Sequence, residues 1–452
     1  MPTKPSGRSL DASSIDVLNA IRNSSSENYR SAVPFADSEN IRDIGNILTG
    51  NPTLANSFLT NLVNRIGRVI ISSRMYDNPW SMFKKGMLEY GETIEDIFVD
   101  IARPFEFDQA VSEKEVFKRE IADVESVFHI LNYKKFYKVT ISEQDLNLAF
   151  LNASGVTDLI NKIIDSLYAG ARYDEFITMK YLIARHLIDG NLYTVEVPEV
   201  SEENAKKITT KIKEVSNAFT FMSTQYNLAG VHNYSDKNRQ YLIVNNEFDA
   251  IMDVEVLASA FNMDKAQFTG KRVLVDGFGI VDKERLNELF SESKGYTELT
   301  ESEIKALNAI PAILVDQDWL MIFDNMDKFT ELYNGQGLYW NYWYHCWKTF
   351  SISPFHNSVA FIPAAPTVTS VTVSPTSVKA KPGTTVILTP TVATTSFASK
   401  KVTWSVDREL ATVSFDGRVH ILESATAGET ITVTCTSVFD PTQTASATIT
   451  VE

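Results

Sequence analysis

Six of the nine residues from Tyr339 to Trp347 are aromatic: Tyr339, Trp340, Tyr342, Trp343, Tyr344 and Trp347. No other stretch limits the fold as sharply. Side chains alternate across a β-strand, so Trp340, Tyr342 and Tyr344 share one face while Tyr339, Trp343 and Trp347 share the other. A strand that is aromatic on both faces cannot show one of them to water. It is expected between packed layers or against a neighbouring subunit. Burial in a core is the first reading, an assembly surface the second, and a stacking platform for bases or sugars the third. No nucleophile–base pair accompanies the block.

The 452 residues exceed one ordinary core, so two or three domains are expected. A composition break falls at FIPAAPTVTS, with residues 363–366 as a Pro/Ala linker. From Thr367 to Glu452, 21 of 86 residues are Thr and 13 are charged, against 86 charged in the preceding 366. Six Lys/Arg against seven Asp/Glu leave that tail at −1, so the body carries −14 of the total −15. A body of that sign repels nucleic acid and argues against sequence-independent DNA binding.

Short alternating runs divide the tail into strands, with a Pro-Gly turn in KPGTT and an Asp-Gly hairpin at Phe415–Arg418. Trp404 falls on the third strand, where an immunoglobulin sandwich buries a tryptophan. The run VTVSPTSVKAKPGTTVILTPTV, then VTWSV, ATVSFDGRV and GETITVTCTS, resembles the bacterial group-two Ig-like domain over 367–452. Cys346 and Cys435 stand far apart, which excludes a disulfide framework and leaves packing to hold the sandwich. The opening MPTKPSGRSLDASS has no apolar core of signal-peptide type, and no apolar run reaches the ~18 residues of a membrane span.

The body reads as α+β. Residues 10–66 give helical segments. From about 69 to 138 runs an extended arm broken by turns at Asn78-Pro79, Lys85-Gly86 and Tyr90-Gly91, with too few apolar residues for a core of its own. Such an arm must lie on something else. A helix is expected over about 156–190, irregular at Gly170 and capped by Gly190. Asp282–Ala309 reads as an acidic helical insertion.

Several runs make the body similar to the major capsid proteins of small podoviruses that infect Gram-positive bacteria and prime DNA replication with a protein. They include DVLNAIRNSSSENYRSAVPFA, NPWSMFKKGMLEYGETIEDIF, DVEVLASAFNM, LVDQDWLMIFDN and GLYWNYWYHCWKTFSIS. The resemblance implies the tailed-phage shell fold. Residues 1–68 would form the N-terminal arm and 69–138 the E-loop region. Residues 139–362 would hold the peripheral and axial domains, with the spine helix at about 156–190. It also implies synthesis in the host cytoplasm, pentamers and hexamers of one chain around double-stranded DNA, and a scaffolding protein and portal as partners. The Ig-like tail is expected outside the shell, stabilising it or touching host cell-surface glycans, with no membrane role and no enzyme activity. A secreted adhesin is the alternative.

Four residues are expected at an inter-subunit contact: Trp80, Phe83, Lys84 and Lys85, a basic–aromatic tip on the arm meeting a neighbour without covalent bonds. Asp316 and Asp318, two apart on a strand, invite a metal or glycan-hydrolysis reading, but no third ligand or phosphate loop accompanies them. His345 and Cys346 point to opposite faces and cannot easily share a metal. Val275–Gly279 lacks the third glycine of a dinucleotide fingerprint and reads as a turn. Cofactor, metal and catalytic residues are therefore all expected to be none.

Overall fold

The computed structural model describes residues 14–69, 76–88, 93–102, 104, 124–149, 165–252, 271–293 and 295–452. Residues 105–123 of the arm and 156–164 of the expected spine helix lie outside them.

The aromatic strand is β10 (Tyr339–Ile352). It pairs antiparallel with β9 (Leu320–Asn334) on one side and β4 (Tyr133–Ser142) on the other. β1 (Lys84–Met87) joins the far edge in parallel with β9, closing a four-stranded sheet. Trp340, Tyr342, Tyr344 and Cys346 are buried on one face. They share a core with Leu18, Ile21, Tyr29, Ile44, Phe58 and Leu62 of four helices, α1 (Ser14–Ser24), α2 (Glu27–Ala32), α3 (Ile41–Thr49) and α4 (Pro52–Val69). The N-terminal segment is therefore a helical cap over its own sheet, because its apolar stripe has this aromatic layer to cover.

The spine helix is Gly170–Ile188, preceded by a wider π-helical turn at Asp165–Ala169 where the sequence breaks at Gly170. Gly190 ends it at φ +68°, a left-handed conformation that glycine adopts freely. Ile177, Met179, Ile183 and Leu187 pack into the core beneath a second sheet. That sheet runs β5 (Tyr193–Glu196), β11 (Ser358–Ile362), β8 (Ala312–Asp316), β6 (Gln240–Asn245) and β7 (Lys271–Val275). Its alternate side chains face two different layers. Ile243, Ile313 and Ala360 meet the spine helix core, while Leu242, Leu314 and Phe361 meet the helix Ala205–Ala218. A strand covered on both sides needs no polar face, which is why AILV of β8 and VAFI of β11 read as unbroken apolar runs.

The acidic stretch is no loose insertion. Its helices Lys283–Phe290 and Glu301–Asn308 bury Leu286, Leu289 and Leu307 in the spine-helix core, and Thr300 with Glu303 form a capping box. Val275–Gly279 is a turn at the end of β7.

Residues 367–451 form the expected sandwich from nine strands, β12 (Thr367–Ser374), β13 (Ser377–Ala380), β14 (Thr385–Ile387), β15 (Thr389–Thr395), β16 (Val402–Val406), β17 (Ala411–Val413), β18 (Arg418–Ile421), β19 (Thr430–Ser437) and β20 (Thr444–Val451), in sheets ordered β12–β15, β13–β20–β19–β16 and β14–β18–β17. Gly383 (φ +75°) and Gly417 (φ +82°) make the two turns read from the sequence. Cys435 is free and buried among Ile431, Val433 and Ile449.

Candidate assembly surfaces

β2 (Thr93–Val99) and β3 (Val124–Ile130) form a two-stranded antiparallel hairpin outside both sheets. Its inner face lies on its own chain. Phe98 stacks on Phe355 at 5.8 Å, Ser353 donates to Asp96 at 2.6 Å, and His129 hydrogen-bonds Ser351. Burial raises the Asp96 pKa, but hydrogen bonds from His129 and Ser353 outweigh it and hold the carboxyl below the ordinary range. At the hairpin base, His232 Nδ1 lies 2.9 Å from Asp100. The described strands of the arm do rest on something, as its composition requires: their inner face is supported by their own chain.

The outer face is different. Ile97, Val99, Val124, Phe128 and Ile130 are each 53–63 % exposed. Period two puts them together: Val99 pairs Val124, and Ile97 and Phe128 lie on the same side as Ile130. A monomer seldom leaves such a contiguous apolar row in water.

The second face of the aromatic sheet is also open. Trp343, His345 and Trp347 are half-buried there, beside exposed Lys134, Phe136 and Lys138 of β4. Lys134 covers Trp347 at 5.1 Å and Lys138 covers Trp343 at 5.8 Å, so cations shield the two indole faces. The opposed faces of His345 and Cys346 are as the strand period demands. His345 meets Thr330 at 3.1 Å, while Cys346 is buried and its thiol is pushed up to about 12.

The expected tip at Trp80–Lys85 is placed elsewhere. Trp80 and Phe83 are fully buried, in the core beneath the spine helix. Lys84 pairs with Asp324 at 2.7 Å and Glu175 at 3.2 Å, and Lys85 pairs with Asp318. Trp80 and Phe83 are corrected from a projecting contact to an interior 3-10 turn, and Lys84 and Lys85 open the edge strand β1 in ion pairs with their own chain. Their turn-like flanks resemble a loop tip, but pairing of β1 with β9, some 240 residues later in the chain, draws them inward. The hairpin proper is thus narrower than 69–138, since 84–87 and 133–142 belong to the aromatic sheet.

Lys348, Lys84, Glu175 and Asp324 form a buried cluster of two positive and two negative groups, tying the spine helix to β1, β9 and β10. Lys348 donates to Glu175 and, at 2.5 Å, to Asp324. Burial raises both acid pKa values, yet the two ammonium groups pull them below their usual range. Sequence reading missed this cluster, whose members are scattered over 264 positions and signalled only by a Lys inside the aromatic block. Asp316 and Asp318 are likewise committed, to Arg239 and Lys85. Among the described residues no group of three or more His, Cys, Asp or Glu is placed to hold a metal, and no helix is long and apolar enough to cross a membrane.

A spine helix under an aromatic sheet, a three-layer second domain and a hairpin lacking a core together define a subunit of the tailed-phage shell class. A chain from the capsid structure of Staphylococcus phage Andhra has the same fold, at TM-score 0.50 and 17 % identity, with 65 % of this chain and 86 % of that one covered. Residues 18–362 match the Phi29-like phage major capsid protein family and 367–450 the bacterial Ig-like domain, group 2. The chain belongs to the Phi29-like major capsid protein family. It is 35 % identical to the major capsid protein of Bacillus phage B103 over 429 residues, covering 93 % of this chain and 90 % of that one. With that of Bacillus phage GA-1 it shares 36 % over 360 residues, 78 % and 70 % of the two chains.

Proposed function

We propose that this head protein closes into pentamers and hexamers through two surfaces: the outer face of the hairpin and the open face of the aromatic sheet. The single observation behind this is the exposed row Ile97, Val99, Val124, Phe128 and Ile130 on an element with no core. Apolar area left in water by the monomer is recovered when another copy covers it. Its mechanism is burial of surface, without bond chemistry; Asp316 at the end of β8 and Asp318 in the turn after it are held in ion pairs. The net charge of −15 lets duplex DNA pack inside without adhering. A scaffolding protein and a portal complete such a head, and the Ig-like domain faces outward.

The test is Phe128→Asp with Ile130→Asp in the full chain, co-expressed with scaffolding protein. Both side chains are solvent-exposed, so the subunit folds with its normal circular dichroism and thermal midpoint. Electron microscopy is expected to show no closed shells. Normal particles from that variant would refute the hairpin's role.

A further inference from the structure

The sequence describes the Ig-like tail as a domain on a Pro/Ala tether. In the structure it is also seated. Its loop from Thr395 to Lys401 enters a socket formed by the end of the spine helix, by β5 and by the loop 224–231. Lys400 donates its backbone N–H to Gly190 O at 2.8 Å, and Thr194 Oγ1 donates to Phe397 O at 3.0 Å. Ala398 and Ser399 are fully buried, and Phe397 packs against the spine-helix core. Lys401 is buried as well, donating to the carbonyls of Thr224 at 2.5 Å and Gln225 at 3.3 Å. Ser396 and Phe397 sit at φ +51° and +57°, and two successive left-handed residues with side chains persist only where the surroundings hold them. A Cβ on Gly190 would lie 2.8 Å from Ala398 O, so this close seat needs glycine there for a second reason.

The seat leads to the hairpin. The loop 224–235 that receives Lys401 also fixes the 353–357 turn: Ala229 N–H donates to Pro354 O at 2.9 Å and the Asn233 side chain to Phe355 O at 2.7 Å. Phe355 is the hub. Phe98 of the hairpin stacks on it at 5.8 Å, and Phe415 of the Ig-like domain meets it edge-on at 6.1 Å. Phe98, Asp100, Gly230, Trp404 and Phe415 line one cleft where the three parts converge.

We infer that the Ig-like domain is an intrachain clamp: its 395–401 plug holds Phe415 on Phe355 and thereby fixes the course of the hairpin that reaches neighbouring copies. This deepens the assembly reading above but is testable without any assembly. The clamp makes the tail part of the hairpin's support, and a tail hung only on residues 363–366 has no such effect.

Hydrogen exchange of the unassembled full-length chain separates the two cases, read on peptides covering 93–102 and 124–130. Phe415→Ala removes one aromatic partner and is expected to speed exchange there by roughly tenfold, the size of an aromatic pair plus its burial. Lys401→Glu sets a carboxylate against two carbonyls and unseats the plug without touching the sandwich core. It is expected to raise exchange at 224–231, 395–401 and the hairpin together, with β6 and β19 unchanged. Two results overturn the clamp. One is an unseated plug with wild-type exchange in the hairpin. The other is Lys401→Glu or Phe415→Ala leaving every one of these peptides as in the wild type. Because the assay needs no particles, failure of the assembly proposal is read separately, from the Phe128/Ile130 variant.

Discussion

Replacing Lys348 with Met is the sharpest test of what holds the aromatic sheet to the spine helix. The Lys348 side chain is 5 % exposed and serves two acids whose side chains are 3 % (Glu175) and 14 % (Asp324) exposed. Met fills a similar volume, so the loss is charge and hydrogen bonding, with packing kept. Lys84 then faces both acids alone, at 3.2 and 2.7 Å, and one negative charge stays buried without compensation. Stranding a buried partner costs roughly 3–5 kcal/mol; Lys84 shares the burden, which favours about 3. At about 2 °C per kcal/mol for a large unit, the thermal midpoint falls by roughly 6 °C. Tryptophan fluorescence reports it cleanly, since five of the six tryptophans lie in the body. Adding Glu175→Gln leaves Lys84 against Asp324 one to one, and the double variant regains more than half the loss. A fall under about 2 °C, or a double variant no more stable than Lys348→Met, would refute the reasoning.

Acid should act on the same cluster. The pKa values of Glu175 and Asp324 are depressed in the fold, so their contribution is complete above the ordinary values of 4.5 and 3.8 and is lost as pH falls through the depressed ones; fluorescence against pH should stay flat down to about 4.5. Burial lowers Lys401 from 10.5 to about 8, so the unseated plug binds more protons, and seating tightens as pH rises from about 8 to 10.5; exchange at 224–231, corrected for its intrinsic rate, slows over that window. Phe58→Ala in α4 opens a cavity under Trp340 and Tyr342 worth about 3–5 kcal/mol, seen as faster exchange in β10 with the Ig-like peptides unchanged. Cys346 and Cys435, both buried with thiols pushed up to about 12 and 11, resist alkylation at pH 8 until denaturant is added, as mass spectrometry will show.

Much of the architecture was legible because it rests on local periodicity. A strand with aromatics on both faces is expected between layers or against a neighbour; within the chain one face, Trp340, Tyr342 and Tyr344, is layered, while Trp343 and Trp347 on the other are half-buried. Gly190 had to end the spine helix, and the Asp-Gly of Phe415–Arg418 had to turn a hairpin, since both positions need a positive φ. The Thr-rich tail could only be short strands around a small core. Trp80–Lys85 misled because Asn78-Pro79 and Gly86 punctuate both projecting loops and edge strands; what separates the two is a partner strand far along the chain.

The sequence by itself settled the aromatic strand, the end of the spine helix at Gly190, where the sandwich begins, and that an arm with so few apolar residues must borrow its support. Those properties follow from the alternation of side chains and the torsional freedom of single residues. Only the tertiary structure decided which face of the hairpin its own chain covers, which charges meet around Lys348, and that Lys401 carries the Ig-like domain into the body. Contacts between residues hundreds of positions apart leave no periodic trace in the chain, and they exist only when the layers close.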